Sequence, residues 1–129
     1  MKIIADTNTF LAVALNEPEK DIIIRLTEGH SLVAPEVLPF EIGNALTSMM
    51  KRKTLKVNEV ILVWDVIQNI PVDLRRIDIK AALNIAMQHN LYAYDAYFLE
   101  CARNLRSPLL TLDQRMKSVA RTIGIKIME

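Results

Sequence analysis

The sequence is poor in the residues that build several common kinds of catalytic site, with one cysteine, three glycines and two histidines among 129 residues. The single cysteine, Cys101, excludes an internal disulfide and any zinc site made from cysteine ligands. No glycine-rich loop that would cradle a phosphate group is present. His30 lies in a predicted loop and His89 at a predicted helix end, and neither belongs to a Ser–His or Cys–His arrangement. The sequence therefore gives little support to covalent catalysis.

Long apolar runs are also absent. No apolar stretch approaches the ~20 residues that span a bilayer, and the apolar run at the N-terminus is too short for a signal peptide. We find no repeat, low-complexity segment or linker, and 51% of the residues are hydrophobic. These features predict one globular domain, residues 1–129, located in the cytoplasm and without a membrane segment.

The net charge of +1 argues against a constitutive polybasic nucleic-acid binder. When four acidic residues described below are set aside, however, basic residues outnumber acidic ones in the rest of the chain. The sequence therefore predicts that an anionic polymer is attracted to the rim of a site whose centre is acidic.

Short apolar runs alternate with longer amphipathic segments along the chain. Strands are predicted at residues 2–5, 31–34, 71–74, 108–112 and 125–128. Helices are predicted at residues 9–15, 17–28, 36–52, 57–69, 78–89, 94–105 and 114–123. Short strands separated by helices predict an α/β fold, in which a parallel sheet has helices on both faces. Such sheets bind ligands beyond the carboxyl ends of the strands, where the strand order reverses.

Four acidic residues occupy positions where burial is expected. Asp6 and Asp113 follow the ends of predicted strands, whereas Glu41 and Asp95 lie on or beside apolar helical stripes. Buried carboxylates are costly unless a positive charge balances them, and no basic residue is adjacent in sequence to Asp6, Glu41 or Asp95. If the fold brings the four together, the simplest counter-charge is a divalent metal ion held by oxygen ligands.

Each acid also has an ordinary structural interpretation. Asp6 and Asp113 are competent N-caps for the helices that follow them. Glu41 can be a solvent-exposed helix residue, and Asp95 a first-turn acid that the helix dipole favours. For Asp113, a role as a cap or an outer ligand is the main alternative to direct metal binding.

Small polar residues accompany two of the acids. Thr7 and Asn8 follow Asp6 directly, so one of them can orient this carboxylate as a metal ligand. Strand periodicity puts Thr111 on the same side as Asp113, so that its hydroxyl can support the carboxylate.

With these four motifs in this order, the chain resembles a PIN domain. The resemblance rests on Asp6-Thr7-Asn8 after the first strand, Glu41 in Phe-Glu-Ile-Gly-Asn-Ala-Leu, Asp95 in Tyr-Asp-Ala-Tyr-Phe-Leu and Asp113 in Leu-Thr-Leu-Asp. It covers essentially the whole chain, whose length resembles that of the toxins in VapBC toxin–antitoxin pairs.

The resemblance implies a three-layer α/β/α fold with a five-stranded parallel sheet in the order 3-2-1-4-5. It also implies a magnesium- or manganese-dependent endoribonuclease, the toxin of a type II toxin–antitoxin system. Asp6, Glu41, Asp95 and Asp113 would then hold one or two divalent ions, and a metal-activated water would hydrolyse RNA phosphodiester bonds. Thr111 and Asn8 match supporting polar positions of the family.

Basic residues near the predicted site are candidate RNA contacts, with ordinary solvated charge as the alternative. The main candidates are Lys51, Arg52, Lys53 and Arg115, and the further ones are Lys56, Lys117 and Arg121. The helical hairpin at about residues 37–69 carries more apolar surface than a small protrusion should expose. The resemblance suggests that this hairpin supports a homodimer and accepts a VapB-type antitoxin, although core packing explains part of it equally well.

Two other hypotheses fit part of the pattern. A non-catalytic PIN-like module, binding RNA or a partner protein, would keep the fold and the acids without turnover. Phosphatase chemistry at Asp6 is weaker, because Asn8 stands where a second acid would be needed. The complete set of four acids favours the nuclease.

Overall fold

A parallel sheet of four strands lies at the centre of the computed structural model, which describes all of residues 1–129. The strands are β1 (Lys2–Ala5), β2 (Ser31–Pro35), β3 (Asp73–Arg75) and β4 (Leu109–Leu110). The helices are α1 (Thr7–Ala14), α2 (Lys20–Thr27), α3 (Leu38–Lys51), α4 (Val57–Gln68), α5 (Ile79–His89), α6 (Ala93–Leu105) and α7 (Gln114–Thr122). The strands are all parallel and lie in the order β3-β2-β1-β4, so the predicted α/β class and parallel sheet are confirmed.

The predicted fifth strand, at residues 125–128, is wrong. This segment forms a single parallel bridge, between Leu109 and Ile127. The Leu109 amide donates to the Lys126 carbonyl and its carbonyl accepts from the Met128 amide, each at 2.9 Å. Only every second residue of a strand directs its hydrogen bonds toward a given edge, and β4 has two residues. Leu109 is therefore the one residue of β4 that can pair with the C-terminal segment. Residues 125–128 lie beside β4, where the fifth strand was predicted, but they form no strand.

Two neighbouring side chains of β1, Ile3 and Ile4, enter two separate hydrophobic clusters, one on each face of the sheet. Ile3 packs with Ala12 of α1, Ile23 of α2 and Leu110 of β4. Ile4 belongs to the larger cluster on the other face, which includes Phe98 of α6. Because side chains of a strand alternate between faces, this division places helices on both sides of the sheet. Full burial of side chains of this size stabilises the fold by about 1.5–3 kcal/mol each.

The strand order reverses between β1 and β4. From β1 the chain adds β2 and then β3 on one side, and later returns to place β4 on the other side of β1. The carboxyl ends of these two strands are joined by a hydrogen bond from the Asp6 amide to the Leu110 carbonyl at 3.3 Å. Asp6 and Thr111 therefore meet at the edge of the sheet where ligands of such folds bind.

None of the helices combines the length and the apolar character that crossing a membrane requires.

Candidate active site

Asp6 lies at the bottom of the site, directly after β1, and the residue is only 5% exposed. It is the N-cap of α1, and its Oδ1 accepts hydrogen bonds from the Thr9 amide at 3.1 Å and the Thr9 hydroxyl at 2.7 Å. Its Oδ2 accepts from the Thr111 hydroxyl at 2.5 Å. The capping role expected for Asp6 is thus present, and both carboxylate oxygens point toward hydroxyl groups that hold them in place.

Thr9 is a supporting residue that the sequence reasoning missed. Its buried hydroxyl also lies 3.2 Å from the Leu110 carbonyl, so it links α1 to the end of β4. The available signal was the spacing Asp6-x-x-Thr9, since the side chain of an N-cap residue accepts from the residue two or three positions later.

Thr111 supports a different acid from the one expected. Its hydroxyl donates to Asp6 and accepts from the Asp113 amide at 3.1 Å, so it contacts the main chain of Asp113 and not its carboxylate. Thr7 likewise does not orient Asp6, because its hydroxyl donates to Oε1 of Glu41. Asn8 is exposed and its side chain makes no hydrogen bond within the protein.

Glu41 and Asp95 approach the site from two different helices. Glu41 is half-buried in the first turn of α3, and its bond with Thr7 joins α3 to α1. Asp95 is half-buried in the first turn of α6, and its carboxylate makes no hydrogen bond within the protein. The apolar stripe expected to continue from Asp95 is buried, with Phe98 and Leu99 in the core.

Asp113 caps α7 at the rim of the site. Its Oδ1 accepts from the amides of Arg115 at 2.8 Å and Met116 at 3.1 Å, while its Oδ2 makes no hydrogen bond. The side chain is exposed. The cap foreseen as the alternative role of Asp113 is therefore present, and one carboxylate oxygen is still available to a ligand.

Burial and neighbouring negative charges raise the pKa values of Asp6, Glu41 and Asp95. Burial first, and then the neighbouring charge of Asp113, raise the pKa of Asp6 against the opposing effect of its hydrogen bonds. Burial and the charges of Asp95 and Asp6 raise the pKa of Glu41, and burial with the charges of Asp113 and Asp6 raises that of Asp95. No basic side chain lies within salt-bridge distance of any of the four. The site is a concentration of negative charge without an internal counter-charge.

This donor set suits a hard divalent cation, because Mg²⁺ and Mn²⁺ prefer carboxylate oxygens and retain several waters. No three of the side chains converge into a closed cage in this conformation. Glu41 is hydrogen-bonded to Thr7, and Oδ1 of Asp113 is hydrogen-bonded to two amides of α7. Asp6, Glu41, Asp95 and Asp113 are the groups that would hold an ion, and the Asp95 carboxylate and Oδ2 of Asp113 make no hydrogen bond that would compete with it.

A sequence model of the PIN domain matches residues 3–122. The chain belongs to the PIN domain family. It is 23% identical over 121 residues to Ribonuclease VapC3 of Pyrobaculum aerophilum, an alignment that covers 90% of this chain and 92% of that protein. The relationship confirms the resemblance to the PIN domains of VapBC pairs.

Solved structures share the fold of this PIN domain. The crystal structure of PAE2754 from Pyrobaculum aerophilum superposes with a TM-score of 0.74 at 17% identity, over 99% of this chain and 84% of that one. VapBC2 from Rickettsia felis, solved bound to a DNA fragment from their promoter, gives a TM-score of 0.67 at 13% identity, over 100% of this chain and 98% of that one.

The basic residues around this PIN domain's site fall into two groups. Lys51, Arg52 and Lys53 are exposed at the end of α3 and form no ion pair. Arg115 instead donates to the carbonyls of His89 and Asn90, at 2.8 and 3.3 Å, so that its guanidinium closes the end of α5.

The two other basic residues of α7 considered as RNA contacts are also engaged. Arg121 pairs with Glu129 at 3.0 Å, and Lys117 lies 4.0 Å from the same carboxylate. The main candidate RNA contacts whose side chains have no partner within the protein are therefore Lys51, Arg52 and Lys53, at the end of α3.

Replacing Thr9 with Val should lower the free energy of unfolding by about 1–3 kcal/mol, because buried oxygens of Asp6 and Leu110 lose a donor. Urea unfolding measures the change. Thr47→Val is the matched control, since the Thr47 hydroxyl is exposed and bonds only carbonyls of its own helix; we expect it to change stability by less than about 0.5 kcal/mol. Equal effects of the two substitutions would contradict the role of Thr9.

Proposed function

We propose that the protein is a metal-dependent endoribonuclease that uses Asp6, Glu41, Asp95 and Asp113 to hold Mg²⁺, with Mn²⁺ able to substitute. One observation carries the proposal: Asp6 and Asp95 each lie within electrostatic range of the other three acids at the reversal of the sheet, and none of the four has a basic partner. Membership of the PIN family and the relationship to Ribonuclease VapC3 support the same chemistry.

The side chains of the site have different roles in such a reaction. Asp6, fixed by Thr9 and Thr111, is the rigid ligand at the floor, since its hydrogen bonds leave it one orientation. Asp95 has no hydrogen bond to break before it can bind an ion or a water. When bound, a divalent ion would supply a nucleophile from water at neutral pH and neutralise charge building on the phosphate.

The charge of the site makes the metal a condition for binding RNA. Without a cation the four carboxylates repel phosphate. The exposed Lys51, Arg52 and Lys53 at the end of α3 supply attraction for the RNA backbone at the rim. Metal at the centre and basic residues at the rim would therefore act on the same strand.

We further propose that the chain is the toxin of a type II toxin–antitoxin pair and acts in the cytoplasm. The hairpin of α3 and α4 exposes apolar side chains along α4, at Val57, Ile61, Leu62 and Val66. Exposed apolar surface of this kind suits a protein partner, and we propose a homodimer and a VapB-type antitoxin for this hairpin. The Rickettsia felis VapBC2 structure supports the pairing by analogy of fold.

Purified protein should cleave single-stranded RNA in the presence of Mg²⁺ or Mn²⁺ and lose cleavage when EDTA is added. Excess Mg²⁺ should restore it. Asp95→Asn, prepared in the same way, is the control for contaminating nuclease, because Asp95 makes no hydrogen bond on which the fold depends. RNA binding without cleavage in either metal would favour the non-catalytic module.

A further inference from the structure

A depression of about 400 Å³ adjoins the acidic site and is not used by the chemistry described so far. Its polar lining consists of Asn8, Glu17, Arg52 and Asp113. Its apolar lining consists of Leu11, Met49 and Leu112. The volume lies within the range of about 300–1,000 Å³ found for small-ligand pockets. We call this depression the base pocket.

The base pocket is continuous with the acidic site through Asp113. The Oδ1 of Asp113 caps α7, while its Oδ2 is free. Asn8 also lines the base pocket, two residues after Asp6 in the first turn of α1. A group held in the base pocket would thus lie beside whatever phosphate binds at the acids.

The turns that end α1 and α3 form the outer wall of the base pocket. After α1, Asn16 adopts a left-handed φ of 54°, the Asn16 amide donates to Val13 and the Glu17 amide donates to Ala12. This is a complete Schellman motif, which ends the helix with a defined geometry. The side chain of Glu17 is therefore presented from a rigid turn.

The same motif recurs after α3, where it presents Arg52. Lys53 has a φ of 62°, its amide donates to Met50, and the Thr54 amide donates to Met49. Two short, ordered turns hold an acid and a base facing one depression. Neither Glu17 nor Arg52 forms an ion pair or a side-chain hydrogen bond within the protein.

We propose that the base pocket binds one nucleobase of the RNA next to the scissile phosphate and prefers bases with an exocyclic amino group over uracil. The proposal deepens the function proposed above and rests on it. Apolar side chains and the flat guanidinium of Arg52 provide a surface for stacking a base. Asn8 has a free amide that can bond a base edge through one donor and one acceptor.

Glu17 sets the preference, because an ionised carboxylate only accepts hydrogen bonds. Adenine, cytosine and guanine each carry an amino group that can donate to it. Uracil has none, and its single ring donor, N3–H, lies between two carbonyl oxygens that repel a carboxylate. One well-formed contact of this type gives discrimination of about tenfold.

The test titrates AMP, CMP, GMP and UMP into the ¹⁵N-labelled full chain with Mg²⁺ and follows the Asn8 side-chain amide and the Glu17 amide by NMR. We expect both signals to shift, with UMP binding about tenfold more weakly than the other three. Glu17→Gln should bring the four affinities within about twofold, since a glutamine amide can also donate to uracil. Glu28→Gln, the same change at an exposed acid outside the base pocket, should keep the preference.

Shifts absent from Asn8 and Glu17, equal binding of UMP, or an unchanged preference in Glu17→Gln would each overturn the proposal. Sequencing the ends of a randomised single-stranded RNA cut by the enzyme separates it from the proposed function. Cleavage without discrimination against uridine would support the proposed nuclease and contradict the proposed role of the base pocket. Selective nucleotide binding without any cleavage would support the base pocket and contradict the proposed nuclease.

Discussion

Asp6→Asn should reduce RNA cleavage by roughly 10²–10³-fold, the loss seen when one preorganised electrostatic group is removed from an active site. The same substitution should raise the stability of the metal-free protein. Burial and the charge of Asp113 raise the pKa of Asp6, so its surroundings in the folded protein disfavour the ionised form. An amide in its place carries no charge to bury.

The substitution also preserves the local structure. The Oδ1 of Asn can still accept from the Thr9 amide and hydroxyl, so the cap of α1 is kept. Its NH₂ group would face the Thr111 hydroxyl, which can rotate from donor to acceptor. Loss of activity in this variant would therefore report the charge and not a collapsed helix end.

Single-turnover cleavage and urea unfolding in EDTA measure the two effects on one preparation. Asp21→Asn is the matched control, because Asp21 is an exposed acid in the first turn of α2, and we expect it to leave cleavage unchanged. Cleavage by Asp6→Asn within threefold of the wild type would show that Asp6 is no ligand of the reacting groups.

The sequence was sufficient to place Asp6 and Asp95 on their elements, because each position follows from a local rule, whereas Asp113, which was expected to be buried, is exposed. A carboxylate after a short buried strand must lie at the sheet edge, as Asp6 does. The spacing of Asp95, Phe98 and Leu99 fixes one helix face whatever the rest of the chain does. The reversal between β1 and β4 followed from the alternation of strands and helices together with the family resemblance.

The partners of the acids could not be predicted, because they join distant segments. Thr111 reaches Asp6 across 105 positions and Thr7 reaches Glu41 across 34. Strand periodicity correctly placed Thr111 near the site, but it could not show that the Thr111 hydroxyl donates to Asp6 and not to the Asp113 carboxylate. The prediction of a fifth strand was wrong for a similar reason. The apolar pattern of residues 125–128 does not reveal that the neighbouring strand, β4, has only two residues.

The metal-free protein should become less stable as the pH rises from about 4, the ordinary carboxyl range. The pKa values of Asp6, Glu41 and Asp95 are all raised in the folded state, by burial and by one another. Between the unfolded and folded pKa values the folded chain binds more protons, so its free energy of unfolding falls with pH. The stabilisation is complete below the unfolded pKa values and lost above the folded ones.

A divalent ion should reverse this trend, because it binds the ionised carboxylates of the folded state. At a metal concentration of about 100 Kd the stabilisation is roughly 2.7 kcal/mol, which for a domain of this size raises Tm by on the order of 10 °C. Circular dichroism melts in EDTA and in Mn²⁺, at steps between about pH 4 and pH 8, give both curves. The gap between them should widen as the pH rises.

Glu100 provides the internal control for that experiment. Burial and the charge of Asp78 raise the pKa of Glu100 as well, so it adds to the loss of stability in EDTA. It lies in α6 five residues beyond Asp95, outside the acidic cluster, and no metal should rescue its contribution. Glu100→Gln should flatten the EDTA curve and keep the response to Mn²⁺, whereas Asp95→Asn should flatten the curve and reduce the response. A stability that rises with pH in EDTA, or an equal Mn²⁺ response in both variants, would refute the assignment of the acids as one metal site.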